Sequence, residues 1–119
     1  MTLKIQCVTV DANDPAKLAA WWANVLGFRV KELDDEGEVA IIPPDRGKDP
    51  AILFIHVPDD KAVKNRLHLD LTPDDQDAEI TRLLAMGATR SEIGQTGDES
   101  WVVLADPEGN EFCVLKPRG

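Results

Sequence analysis

Cysteine is scarce, basic residues are outnumbered and long apolar runs are missing from this 119-residue sequence. Its two cysteines, Cys7 and Cys113, lie in apolar, strand-like surroundings and belong to no C-x-x-C spacing. Nothing therefore calls for a disulfide framework or an oxidising compartment, and the cytoplasm is the expected location. No segment approaches the run of about 18 apolar residues that a membrane span requires. The opening Met1-Thr2-Leu3-Lys4-Ile5-Gln6 also lacks the apolar stretch of a secretory signal. The 13 basic residues are scattered among 22 acidic ones, for a net charge of −9. Phosphate backbones and anionic lipid surfaces repel such a chain, so neither nucleic acid nor a membrane is an expected partner. Glycine-rich nucleotide loops, a Ser–His–Asp array and basic patches with interleaved aromatics are all missing too. What remains is a chain that is 43% hydrophobic, enough to build the core of one domain spanning residues 1–119.

Read in order, the chain states one pattern twice. Leu3 to Val10 alternate as a strand. Asp14-Pro15 then opens a helix, the carboxylate capping free N–H groups and proline suiting the first helical position. Leu18, Trp21, Trp22, Val25 and Leu26 form its apolar stripe, and Gly27 stops it. Strands follow over Phe28–Leu33, Glu38–Ile42 and Ala51–Val57, divided by an acidic turn at residues 34–37 and a proline-rich loop at 43–50. After a polar linker the order returns. Leu67–Leu71 is a strand, Asp74-Asp75 opens a helix bearing Ile80, Leu83 and Leu84, and Gly87 stops it. Strands over Ala88–Ile93 and Ser100–Ala105 flank a turn around Gly97, and Asp106–Asn110 turns into a last strand, Glu111–Lys116. Two βαβββ modules, at about 3–58 and 66–117, are the expected architecture, with Cys7 matching His68 and Asp14 matching Asp75.

Strand alternation assigns the faces. Leu67, Leu69 and Leu71 are expected to face a core, which turns His68 and Asp70 the other way. Phe112 and Val114 face the helices, leaving Cys113 and Glu111 on the second face, while Cys7 and Thr9 lie opposite Val8 and Val10. Ile52, Phe54 and His56 are read as cavity-facing. Trp101, at the start of a strand, is placed to stack a flat ligand or to pack a core. A mixed polar and apolar lining of this kind suits a small organic ligand. His68 and Asp70, two residues apart on one face, carry the sharpest chemistry: a carboxylate that orients an imidazole makes a general base. The ligand-binding expectation covers Cys7, Thr9, Phe54, Trp101 and Cys113.

Two stretches carry a family resemblance. The first is Val8-Thr9-Val10 with Asp14-Pro15, Trp21-Trp22 and Val25-Leu26-Gly27-Phe28. The second is His68-Leu69-Asp70-Leu71 with Met86-Gly87-Ala88 and Asp106-Pro107-Glu108-Gly109-Asn110. Together they resemble the glyoxalase, bleomycin-resistance and extradiol-dioxygenase (vicinal oxygen chelate) superfamily, and within it a glyoxalase-like branch. The resemblance implies an α+β fold in which two βαβββ modules form a curved mixed sheet around a central cavity, helices outside. It implies a homodimer. It also equates Cys7, Phe54, His68 and Cys113 with the family's metal-ligand positions, where His, Glu or Gln is usual. Only His68 keeps a usual ligand type, so no metal cofactor is expected. A divalent metal held by Cys7, His68 and Cys113 is the alternative. The resulting reading is a small-molecule-binding protein that uses His68 and Asp70 for proton transfer. Sequestration of a cationic drug or metabolite and a metal-dependent lyase or dioxygenase are the competing ones.

Overall fold

The computed structural model describes residues 3–33, 37–45, 47–91 and 101–117. The chain divides into two units, Met1–Asp60 and Lys61–Gly119, and each follows the order strand, helix, strand, strand, strand. The repeated pattern of the sequence is thus realised as an α+β fold of two βαβββ units. The acidic turn at 34–36 and the expected turn around Gly97 lie outside the described residues.

In the first unit β1 (Cys7–Ala12) leads to α1 (Pro15–Leu26). The Asp14 carboxylate accepts the Lys17 backbone N–H at 3.2 Å, satisfying one of the donors a helix start leaves open. The helix buries Leu18, Ala19, Trp22 and Ala23. Trp22 is buried while Trp21 is only half-buried, and the two rings meet edge to face with centroids 5.1 Å apart. Gly27 ends the helix at φ +71°, a left-handed backbone that disfavours any residue with a Cβ. β2 (Arg29–Glu32), β3 (Val39–Ile42) and β4 (Ala51–His56) complete a four-stranded sheet of order β1-β4-β3-β2. β1 pairs parallel with β4, and the other neighbours are antiparallel.

The second unit repeats this with β5 (Asp70–Leu71), α2 (Gln76–Ala85), β6 (Thr89–Arg90), β7 (Trp101–Ala105) and β8 (Glu111–Leu115), in the order β5-β8-β7-β6. β5 and β8 run parallel, as β1 and β4 do. Asp75 is the cap of α2, its carboxylate accepting the Ala78 N–H at 3.1 Å. Leu83, Leu104, Phe112 and Val114 are fully buried.

Three strand expectations need correction. β1 begins at Cys7, and Leu3, at the expected start, is 94% exposed. β5 is two residues long rather than five, and Leu67, expected to face a core, is 89% exposed. Phe54 is not on the face of Cys7 and Thr9. The parallel register pairs Thr9 with Leu53 and Val10 with Phe54, and residues paired in a sheet share a face. Phe54 therefore lies with Val8, Val10 and Ile52 and is fully buried. In the second unit Asp70 pairs with Cys113. The position of Cys113 in the first unit is thus that of Leu53, which is no more a metal donor than Phe54.

Candidate active site

β5 and β8 bring three chemistry-bearing side chains together in the second unit. Asp70 and Cys113 are register partners, so their side chains leave the same face of the sheet. His68, two residues before Asp70, reaches both. Its Nδ1 lies 3.2 Å from Asp70 Oδ1 and 3.9 Å from Cys113 Sγ. The imidazole and carboxylate are partly open to solvent, at 37% and 50% exposure, whereas Cys113 is buried. Buried cysteine beneath an open His–Asp pair gives the site a dry floor and a wet rim.

The electrostatics assign roles to these groups. A carboxylate that is ionised only accepts hydrogen bonds, so the nitrogen facing it carries the proton. Nδ1 is therefore the protonated nitrogen of neutral His68, and Nε2 is left as the acceptor. The Cys113 thiol is pushed up to about 11, first by burial, then by the charge of Asp70 and a hydrogen bond to it, with Lys64 partly offsetting. At neutral pH the sulfur is a thiol and a weak donor, which argues against a nucleophilic thiolate.

Glu111, at the start of β8, was not singled out by sequence reasoning. It pairs with Ala105 while Cys113 pairs with Val103, which puts it on the face of the site two residues before Cys113. Its carboxylate lies 3.0 Å from Lys61 Nζ and accepts the Asn65 N–H at 3.0 Å. Burial works to raise its pKa. The Asn65 N–H, the Lys61 hydrogen bond, its own backbone N–H and the Lys61 charge outweigh that, and the group stays below its ordinary value. A charge on an inward sheet face demands a partner, which is a legible signal, but the partner stands 50 residues away in sequence.

Trp101 pairs with Leu115 and shares the face of Cys113; at 41% exposed it is no core residue. Cys7 and Thr9 share a face of the first unit's sheet, with Sγ and Oγ1 3.8 Å apart. His56, at the end of β4, is exposed.

His68, Asp70 and Cys113 offer one nitrogen, one oxygen and one sulfur donor, all within 4.8 Å of one another. Zinc accepts all three types and keeps a fourth position open in catalytic sites, so this donor set fits such an ion once the thiol is deprotonated.

The glyoxalase-like domain family matches residues 7–115, and the chain belongs to that family. No curated protein sequence matches. Solved structures share the fold at low identity. A fosfomycin resistance protein, FosX, from Listeria monocytogenes, a variant complexed with Mn(II) and 1S,2S-dihydroxypropylphosphonic acid, is similar at TM-score 0.75 and 14% identity, covering 99% of this chain and 93% of that one. A glyoxalase/bleomycin resistance protein/dioxygenase family enzyme from Burkholderia phytofirmans gives TM-score 0.71 and 20% identity, covering 95% and 98%. TnmS3, an antibiotic binding protein from Streptomyces, gives TM-score 0.69 and 22% identity, covering 99% of both chains. These likenesses establish the fold and leave the reaction to the residues. Among the described residues no helix is long and apolar enough to cross a membrane.

Proposed function

We propose that the two units act as one glyoxalase-like domain that binds a small organic molecule, with His68 as a general base oriented by Asp70. The observation that carries this is the 3.2 Å contact between His68 Nδ1 and Asp70 Oδ1, with both side chains partly open to solvent. Nε2 takes a proton from a hydroxyl-bearing carbon beside a carbonyl group, and the C–H electron pair moves into the carbonyl to give an enediolate. Asp70 stabilises the imidazolium, the hydroxyl proton passes to the former carbonyl oxygen, and the imidazolium returns its proton to the former carbonyl carbon, so that the carbonyl has moved one carbon along. Trp101 and Cys113 line the face of His68 in this reading, and Cys7 and Thr9 are ligand-binding residues of the first unit. The protein works as a cytoplasmic homodimer.

The test is solvent exchange. A panel of hydroxy-carbonyl compounds is incubated with the protein in heavy water and followed by proton NMR. Loss of a carbon-bound proton signal with wild type, abolished in His68→Gln while thermal-shift binding persists, supports the base. No exchange with any compound, together with Asp70→Asn weakening the binding of cationic compounds, favours sequestration of a cation instead.

The clustering of three donors at His68, Asp70 and Cys113 favours one second reading, a metal-dependent lyase. A zinc ion held there would polarise a ligand oxygen. Elemental analysis of protein purified without chelators separates the two readings.

A further inference from the structure

β8 touches the segment leading into His68 at two points. The Cys113 N–H donates to the Leu69 carbonyl at 2.9 Å, just after the histidine. Glu111 accepts the Asn65 N–H at 3.0 Å, three residues before it. Lys61 joins the second point, with Nζ 3.0 Å from Glu111 Oε1 and also donating to the Val63 carbonyl. Its stem runs past the Asp106–Asn110 turn, where a Cβ added at Gly109 would lie 3.9 Å from Lys61 Cδ. Among the described residues, the hydrogen bonds that leave residues 61–67 for the rest of the unit end on Glu111. The residues between the two points, Arg66 to His68, belong to no strand. Ladder hydrogen bonds therefore do not hold this stretch, and the position of His68 depends on where its ends are fixed.

We infer that Glu111 is a positioning residue: its carboxylate latches the Lys61–Asn65 segment to β8 and thereby holds the His68 imidazole against Asp70. The contact is more than a surface ion pair. The Glu111 side chain is 11% exposed and the Lys61 side chain 20%, and one of the two donors is a backbone N–H that fixes the chain itself. A single strand thus carries the thiol beside the imidazole and the carboxylate that sets the approach of the chain bearing it. This rests on the reading of His68 as the working imidazole, and its test needs no substrate.

The protein has two histidines, so a His56→Gln background leaves His68 as the only imidazole. Nitrogen-15 NMR of that ring distinguishes a protonated Nδ1 from an unprotonated Nε2 by two well-separated signals. In the parent the separation is expected to be large. Glu111→Ala and Asn65→Pro, the second removing the N–H donor and fixing the local φ, are both expected to lose it as the ring samples both tautomers. Glu111→Gln keeps an acceptor for Asn65 and is expected to restore it. If Glu111→Ala does not fold, Asn65→Pro decides. A parent-like separation in folded Asn65→Pro, whatever its melting temperature, overturns the latch. Asp70→Asn is the control on the underlying reading: an unchanged ring there sinks the His68–Asp70 pair and leaves the outcome for Glu111 to be read separately.

Discussion

At the scale of single residues, the site is a stack of one open hydrogen-bonded couple on one buried sulfur, and its alkaline behaviour follows from the sulfur. Cys113 resists ionisation in the fold, first through burial and then through Asp70, with a folded pKa of about 11 against an ordinary 9.0. A raised folded pKa gives stability that is complete below the unfolded value and lost as pH climbs through the folded one. Wild type should therefore lose stability between about pH 9 and 11 relative to Cys113→Ala, by roughly 2 kcal/mol from a shift of this size. Urea unfolding of both proteins at pH 8, 9.5 and 11 checks it, and parallel pH profiles would refute it. Alkylation by iodoacetamide at pH 7.5 should accordingly be slow at Cys113. Asp70 was legible in the sequence because alternation turns it away from Leu69 and Leu71, whereas His68 precedes the two-residue strand and comes beside Asp70 with no ladder to place it. Cys113 was legible for the same reason as Asp70, between Phe112 and Val114. Phe54 was not, because Ala51-Ile52-Leu53-Phe54-Ile55 is apolar throughout and its period says nothing about direction. Only its register with Val10 decides its face.

At the scale of elements, the helices were the easiest part to read and are the easiest to perturb. Asp14 and Asp75 each accept one backbone N–H three residues on. Asp14→Ala and Asp75→Ala should each lower stability by about 1 kcal/mol, read from urea midpoints at unchanged slope. Trp22 is buried where Trp21 is half-buried, so Trp22→Ala should cost about 3–5 kcal/mol and Trp21→Ala clearly less. Equal losses would mean the edge-to-face contact, rather than burial, dominates. Strand ends were harder to read than helices. The leucines at 67, 69 and 71 alternate as a strand should, yet Leu67 is 89% exposed. Residues 61–65 are drawn to Glu111 instead of pairing, and that depends on a carboxylate far along the chain. Local pattern cannot report a bond between positions 65 and 111.

At the scale of the whole molecule, the two readings of the site divide on metal content. Protein purified without chelators is expected to carry less than one transition-metal ion per chain, because binding must first strip the proton from a Cys113 thiol held at about 11. Plasma emission analysis gives the ratio, and one tightly bound ion per chain, lost in His68→Ala, would favour the metal-dependent reading. Light scattering is expected to return twice the chain mass of 13.1 kDa, and a concentration-independent single-chain mass would overturn the homodimer. The two-module architecture was legible at this scale because helix stops and caps recur in order, although few residues are shared between the halves.

The parallel pairing of first strand with last also has a consequence for the order of assembly. A parallel partner cannot be reached by a tight turn, so each unit stays open until its final strand arrives. As the chain leaves the ribosome, the first unit can close once residues 51–56 emerge, while the second waits for residues 111–115. Until then Asp70 has no strand beside it, and neither hold on the His68 segment exists. The imidazole, its thiol neighbour and the carboxylate that restrains its approach are therefore assembled in one late step of synthesis, by the arrival of a single five-residue strand.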